Sequence, residues 1–208
     1  MGDVSNEIEP SKKNGKENEL FPVFFRMDKL HMVVIGGGAV GTEKIGAILK
    51  NSPAASIKVV APEINQTIVD WTEKHAGLSL TYKAYESNDL AGADLVVAAT
   101  CITFLNAQVQ LDAKKLGILI NVADTPELCD FYLGSIVQKG ALKIAISTNG
   151  QSPTFAKRMR ELLEDVLPDS IDAILQQLNE IRNKLKGDFE YKVKKMDEIT
   201  KAMKDDLK

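Results

Sequence analysis

Residues 31–46 read HMVVIGGGAVGTEKIG: an apolar run, three consecutive glycines, then a segment with the apolar spacing of a helix. Gly36, Gly38 and Gly41 stand as G-x-G-x-x-G, with Gly37 in the first variable position. In a strand–turn–helix setting each glycine has its own physical task. The first permits the tight turn, the second lets backbone approach a pyrophosphate, and the third lets helix and strand pack closely. Amides at the start of that helix then attract phosphates. Such a fingerprint alone is weak, since a glycine-rich turn can serve packing only. The strand before it and the helix after it make a dinucleotide cradle the reading here.

Outward from this turn, apolar runs recur at Met32–Ile35, Ile57–Ala61, Leu78–Tyr82, Leu95–Ala99 and Ile118–Val122. Between them, residues 39–50, 63–76 and 103–116 carry helix-compatible spacing. Strands alternating with helices imply βαβ crossovers, so the fold class is α/β with a Rossmann-type parallel sheet. Ile64, Ile68 and Trp71 share one helical face and read as core packing rather than a ligand platform. After Asp124 the spacing predicts a helix from Pro126 to Lys139, a strand over Leu142–Ser147, and a helix to about Val166 capped by Ser152 with Pro153 in its first turn. Pro168 redirects the chain. Ile171, Ile174, Leu178, Ile181 and Leu185 then form an apolar seam that Phe189, Val193, Met196, Met203 and Leu207 roughly continue past Gly187, and such a seam needs an apolar partner, either the rest of its own chain or a second subunit.

The 208 residues, 44% of them hydrophobic, suffice for one Rossmann-sized domain and a smaller attachment. A net charge of -3, from 26 basic and 29 acidic residues, offers no electrostatic footprint for nucleic acid. "KVKK" at 192–195 is a solvated helix face on this reading. Cys101 and Cys129 form no CxxC or Cys/His cluster, which suggests neither a disulfide framework nor a metal site and makes a reducing cytoplasm the default. Residues 1–20 combine mixed charge with low hydrophobicity and read as a flexible tail, not a signal peptide. No run is long and apolar enough to suggest a membrane span.

The acid expected at the end of the second strand is missing from its usual place. That strand ends "KVVAPE", with Val60 and Ala61 in the ribose-facing positions and Glu63 two residues on. No lysine or arginine stands there to pair with a 2′-phosphate, which favours NAD over NADP. Glu63 has a second reading, as a first-turn residue complementing a helix dipole.

Catalysis at a nicotinamide needs a proton-handling group beyond the carboxyl ends of the strands. Asp124 is the first carboxylate past the strand ending near Val122, in "INVADTPELCDFY". Asp124 and Glu127 also have capping-box spacing, and Thr125 followed by Pro126 could cap a helix. The only histidines, His31 and His75, lie elsewhere, so Cys129 reads as packed thiol rather than nucleophile.

"FPVFFRMDKLHMVVIGGGAVGTEKI", "IKVVAPEI", "DLVVAAT" and "NVADTPELCDFYLGSIVQKGALKIAISTNGQSPTFAKRMRELLE" together resemble the precorrin-2 dehydrogenase family, the N-terminal part of siroheme synthase, over about residues 21–168. The resemblance implies NAD-dependent oxidation of precorrin-2 to sirohydrochlorin by a homodimer. It implies an NAD-binding domain over 21–123, a dimerisation and active-site region over 124–150 and a helical C-terminal domain over 151–208. By motif, Ala39, Val40, Pro62 and Glu63 fall at cofactor contacts, Thr100 lies beside the cofactor, Asp124 matches the catalytic aspartate, and Thr148 falls where a small hydroxyl residue lines the substrate pocket. Lys157, Arg158 and Arg160 are candidates to meet the substrate's carboxylates, with a solvated helix face as the alternative. The family's second glycine after "ST" is Asn149 here, a residue that tolerates left-handed backbone.

Some members also insert iron. With no methyltransferase-like segment and no histidine after His75, dehydrogenase activity alone is favoured, with the bifunctional dehydrogenase–ferrochelatase as the alternative. A non-enzymatic NAD(H)-sensing module is a further alternative, which would need an effector element that the sequence does not display.

Overall fold

Near-continuous burial along the central strands sets the architecture of this computed structural model, which describes residues 18–205. The proposed tail therefore falls largely outside the described residues. Five strands, β1 (His31–Gly37), β2 (Ser56–Ile64), β3 (Leu78–Tyr82), β4 (Leu95–Ala98) and β5 (Leu119–Val122), form one sheet in the order β3-β2-β1-β4-β5. Every pairing in it is parallel. Helices α1 (Ala39–Asn51), α2 (Gln66–Thr72) and α3 (Thr103–Lys115) connect the strands. Because side chains alternate across a strand, Met32 and Val34 pack toward α1 and α2, while Val33 and Ile35 pack toward α3. β1 and β4 are apolar on both faces for that reason, as a parallel sheet covered on both sides requires. Ile45 and Ile68, both fully buried, are the helices' main contributions to the first layer. Truncating either to alanine costs about 2–5 kcal/mol. Trp71 is core packing on α2 with Ile68, although Ile64, expected on the same helical face, belongs to β2; the indole lies over Gly46, where an added Cβ would come within 2.8 Å of the ring.

Two sequence expectations fail at this level. First, the helix predicted from Pro126 to Lys139 is absent. Residues Pro126–Leu128 make a single 3-10 turn, and the chain then returns along β5. Asp130 N–H donates to Ile120 O (2.8 Å), Ile120 N–H donates to Asp130 Oδ2 (3.0 Å), and Asn121 Nδ2 donates to Phe131 O (2.8 Å). These bonds give the backbone partners that a helix would otherwise supply. Ser135–Lys139 is instead a strand, β6, joined to β7 (Leu142–Ile146) by a two-residue turn whose first residue, Gly140, has φ 54°. Glycine first in a two-residue hairpin turn is the type II′ pattern. Second, α2 does not begin at residue 63. β2 runs on to Ile64, which pairs with Gly37, and Asn65 caps α2 by accepting from Thr67 N–H (2.9 Å). Glu63 is thus an exposed strand-end residue, and its helix-dipole reading falls.

The β6–β7 hairpin packs on α4 (Pro153–Val166), burying Val137 and Ala156. The predicted cap is present: Ser152 Oγ accepts from Phe155 N–H (3.2 Å), with Pro153 at the first helical position. Beyond Pro168 follow α5 (Ile171–Lys184) and α6 (Phe189–Asp205). Asp169 and Asp172 tie the start of α5 to the hairpin turn, pairing with Lys139 (2.7 Å) and accepting from Ala141 N–H (2.8 Å). Ile171, Ile174 and Leu178 of the predicted seam are half-buried, whereas Ile181, Phe189 and Val193 are exposed, and Leu207 lies outside the described residues. Among the described residues no helix is long and apolar enough to cross a membrane.

Candidate dinucleotide site and catalytic loop

The sheet order reverses between β1 and β4, and in open α/β sheets the crevice outside the carboxyl ends at such a point takes the ligand. The glycine turn leaves β1 there. Gly36 has φ 118°, and a Cβ on it would collide with the Ala99 carbonyl. A Cβ on Gly41 would collide with the Gly36 carbonyl, so the third glycine is what lets α1 sit against the strand end. Gly38 differs: an added Cβ would meet nothing within 4 Å. The chain's own packing therefore demands glycine at 36 and 41 but not at 38, which faces open space. Thr42 N–H closes the first helical bond onto Gly38 O (2.9 Å), so the amides of Ala39, Val40 and Gly41 have no intrahelical acceptor. A bare backbone cradle with unspent amides fits a pyrophosphate.

β2 supplies the next wall. A Cβ on Gly37 would lie 2.7 Å from Glu63 O, and Asn65 N–H donates to Gly37 O (2.8 Å), which locks the strand end to the turn. Pro62 and Glu63 are exposed at this edge. On the other side, Ala99 N–H donates to Ile35 O (2.8 Å), carrying the β1–β4 pairing one residue beyond β4 to reach Thr100. Thr100 is held by Asn106, a buried residue of α3 that the sequence reading missed. Nothing but a separation of six residues connects the pair in the sequence.

Asp124 lies just past β5, exposed, with φ 57°. Aspartate enters the left-handed region more readily than most residues, and such outliers gather at functional sites. Among the described residues its carboxylate has no hydrogen-bond or ion-pair partner. Thr125 precedes the 3-10 turn without a side-chain capping bond, so neither capping reading describes this loop. The loop is pinned from both ends: Ala123 N–H donates to Ala98 O (2.9 Å), and Tyr132 Oη donates to Pro126 O (3.2 Å). Cys129 lies between these points, its thiol accepting from Val122 N–H (3.2 Å). Burial pushes the Cys129 thiol above its ordinary pKa, which disfavours the nucleophilic thiolate.

Thr148 is half-buried in the loop between β7 and α4, where its hydroxyl accepts from Ser152 N–H (3.2 Å). Its hydrogen bonds stay within that loop and do not join it to Asp124. Asn149 adopts φ 53°, the left-handed backbone anticipated for it. Lys157 and Arg158 are exposed and share Glu161 (4.0 and 2.7 Å). Arg160 is half-buried, and its Nε is enclosed without a hydrogen-bond partner.

A parallel sheet of this order, opening at its switch point onto a glycine cradle, defines a Rossmann-type nucleotide-binding protein. Residues 23–135 match the family model described as "Putative NAD(P)-binding", and the chain belongs to that family. Residues 139–165 match the model for the central part of sirohaem biosynthesis proteins. The chain is 35% identical over 169 residues to the siroheme synthase of Psychrobacter arcticus and 32% identical over 168 residues to that of Nitrosococcus oceani. These alignments cover 80% and 81% of this chain but 30% and 35% of the relatives, so the chain spans about a third of their length. The solved structure of SirC, a precorrin-2 dehydrogenase, superposes with a TM-score of 0.70 at 27% identity, covering 86% of this chain and 89% of that one. The family resemblance carried by "NVADTPELCDFY" is thereby borne out.

Proposed function

We propose that this chain oxidises precorrin-2 to sirohydrochlorin with NAD. The observation that carries the reading is the uncommitted Asp124 carboxylate, held in left-handed backbone at the carboxyl edge of the sheet that also bears the glycine cradle. The fold shared with a solved precorrin-2 dehydrogenase supports the substrate assignment. Gly36, Gly38, Ala39, Val40 and Gly41 hold the pyrophosphate, Pro62 and Glu63 border the adenosine ribose, and Thr100 closes the opposite side. Glu63, with no cation at the end of β2, suits a free 2′-hydroxyl and disfavours a 2′-phosphate. Held by these residues, NAD would supply the hydride acceptor. The two-electron oxidation also releases a proton, and Asp124 takes it or orients the macrocycle for its loss. Thr148, whose hydroxyl already accepts from Ser152, retains its O–H to donate to a substrate carboxylate. Arg160 is the least committed of the three nearby cations and the one we assign to a carboxylate.

The active form on this reading is a homodimer. A two-stranded hairpin is marginal by itself, and Phe155, Leu162 and Val166 of α4 are 57%, 53% and 65% exposed on the element that covers it. Free Cys101 and Cys129 accord with a reducing cytoplasm.

Incubating the chain anaerobically with precorrin-2 and NAD tests the assignment: NADH and sirohydrochlorin should appear together in equal amounts. NAD binding without turnover would move the chain to the sensor reading. Ferrous ion added to the product would separate a dehydrogenase from a bifunctional ferrochelatase.

A further inference from the structure

Asn106 is 5% exposed, and its side-chain amide is devoted to Thr100. Oδ1 accepts from the Thr100 amide (3.2 Å) and the Thr100 hydroxyl (2.6 Å), while Nδ2 donates to the Thr100 carbonyl (3.0 Å). This pairing of one amide with another residue's N–H and C=O imitates a neighbouring strand just where β4 has ended. The Thr100 hydroxyl also accepts from Ile102 N–H (3.2 Å), which shapes the turn into α3. On its other side the same backbone lies flush with the glycine turn. A Cβ on Gly36 would stand 3.0 Å from Thr100 N.

We infer that Asn106 is a positioning residue for the dinucleotide, acting through Thr100 by fixing the backbone from Ala99 to Ile102 as one wall of the cleft. The inference rests on the reading of the glycine turn as a dinucleotide cradle. A buried site that must both accept and donate requires an amide. Aspartate would keep the acceptor and set a second carboxylate oxygen against the Thr100 carbonyl. Alanine would leave the Thr100 amide and carbonyl without their partner. A relaxed wall weakens cofactor binding more than it weakens proton or hydride transfer, because Asp124 and its β5 loop are held by separate contacts.

The test compares NAD affinity by calorimetry and the KM for NAD against kcat in the full chain. Asn106→Asp should raise Kd and KM for NAD about tenfold or more, with kcat within about threefold of the parent. Thr100→Val, which removes the hydroxyl at the 2.6 Å contact, should raise Kd about threefold. Thr100→Ser should recover most of that loss. Because the two residues act as a unit, the double variant should bind only about as weakly as Asn106→Asp alone. Unchanged KM in folded Asn106→Asp, or a fall confined to kcat, overturns the inference, as does full multiplication of the two effects. If Asn106→Asp does not fold, Thr100→Val decides, and an unchanged Kd there overturns it. A parent chain that binds neither NAD nor NADP overturns the dinucleotide reading itself.

Discussion

Replacing the three motif glycines one at a time by alanine should separate the two that the fold itself requires to be glycine from the one that only the ligand requires. At Gly36 the backbone has φ 118°, and the new methyl would run into the Ala99 carbonyl, so both strain and collision oppose it. Strain alone is worth about 1–3 kcal/mol. At Gly41 the backbone is helical, but the methyl would enter the Gly36 carbonyl, an overpacking cost of about 1–3 kcal/mol. At about 2–4 °C per kcal/mol for a chain of this size, the melting point should fall by roughly 2–12 °C at Gly41 and by at least as much at Gly36, where the collision adds to the strain. Gly38→Ala meets nothing, at φ -82° and ψ -161° that any residue adopts, so its melting point should move by less than about 2 °C. The methyl instead occupies the space a pyrophosphate would approach. Losing one charge-assisted amide–phosphate bond costs about 1.5–3 kcal/mol, which is a weakening of NAD binding by roughly 10- to 150-fold. Calorimetric Kd values and thermal melts on the same samples measure both quantities. A Gly38→Ala variant that melts as low as Gly36→Ala, or that binds NAD as tightly as the parent, refutes the division of roles.

Three other expectations concern the rim of the site and the sheet edge. Asp124→Ala should lower the melting point by about 2–4 °C through its left-handed backbone alone, whereas Asp124→Asn should not, and both should lose at least about 100-fold in kcat; Asp124→Asn turnover near the parent's would remove the carboxylate from the chemistry. Glu63→Arg should weaken NAD and admit NADP, and comparing kcat/KM for the two cofactors decides whether the end of β2 sets that choice. Burial pushes the Asp89 carboxyl up, but the Glu86 amide and the cations of Lys83 and Lys58 more than reverse it, so the group sits below its ordinary value. A carboxylate lowered in the fold contributes stability that is complete above the unfolded value near about pH 4 and lost as pH falls through the lower folded one. Melting curves taken down to about pH 3 should therefore show a shallower acid limb in Asp89→Asn, and an unchanged limb would discount the ion pairs.

The two halves of the proposed site are encoded differently, which explains what could be read in advance. The glycine turn is legible because its determinants are adjacent: an apolar run, glycines at fixed spacing, a helix start. The cap of α4 is legible for the same reason, because Ser152, Pro153 and Phe155 lie within one turn of each other. The Asp124 loop is not legible in that way. Pro126 and Glu127 have the local look of a helix start, and a helix was the expectation to Lys139. What prevents it is the docking of Asp130 and Phe131 onto Ile120 and Asn121 of β5, contacts that exist only once the sheet has formed. The same holds for β2, which outruns its apolar segment because Ile64 pairs with Gly37, and for Asn106, whose role appears only when α3 is set against the end of β4. Local sequence thus specifies the cradle, while a few polar side chains with partners on other strands specify where the carboxylate stands and how the cleft wall is shaped. A variant that damages the partners of the β5 loop, Asp130 or Asn121, should leave the glycine cradle folded and displace Asp124, since the cradle's own contacts run among β1, β2, the end of β4 and the start of α1.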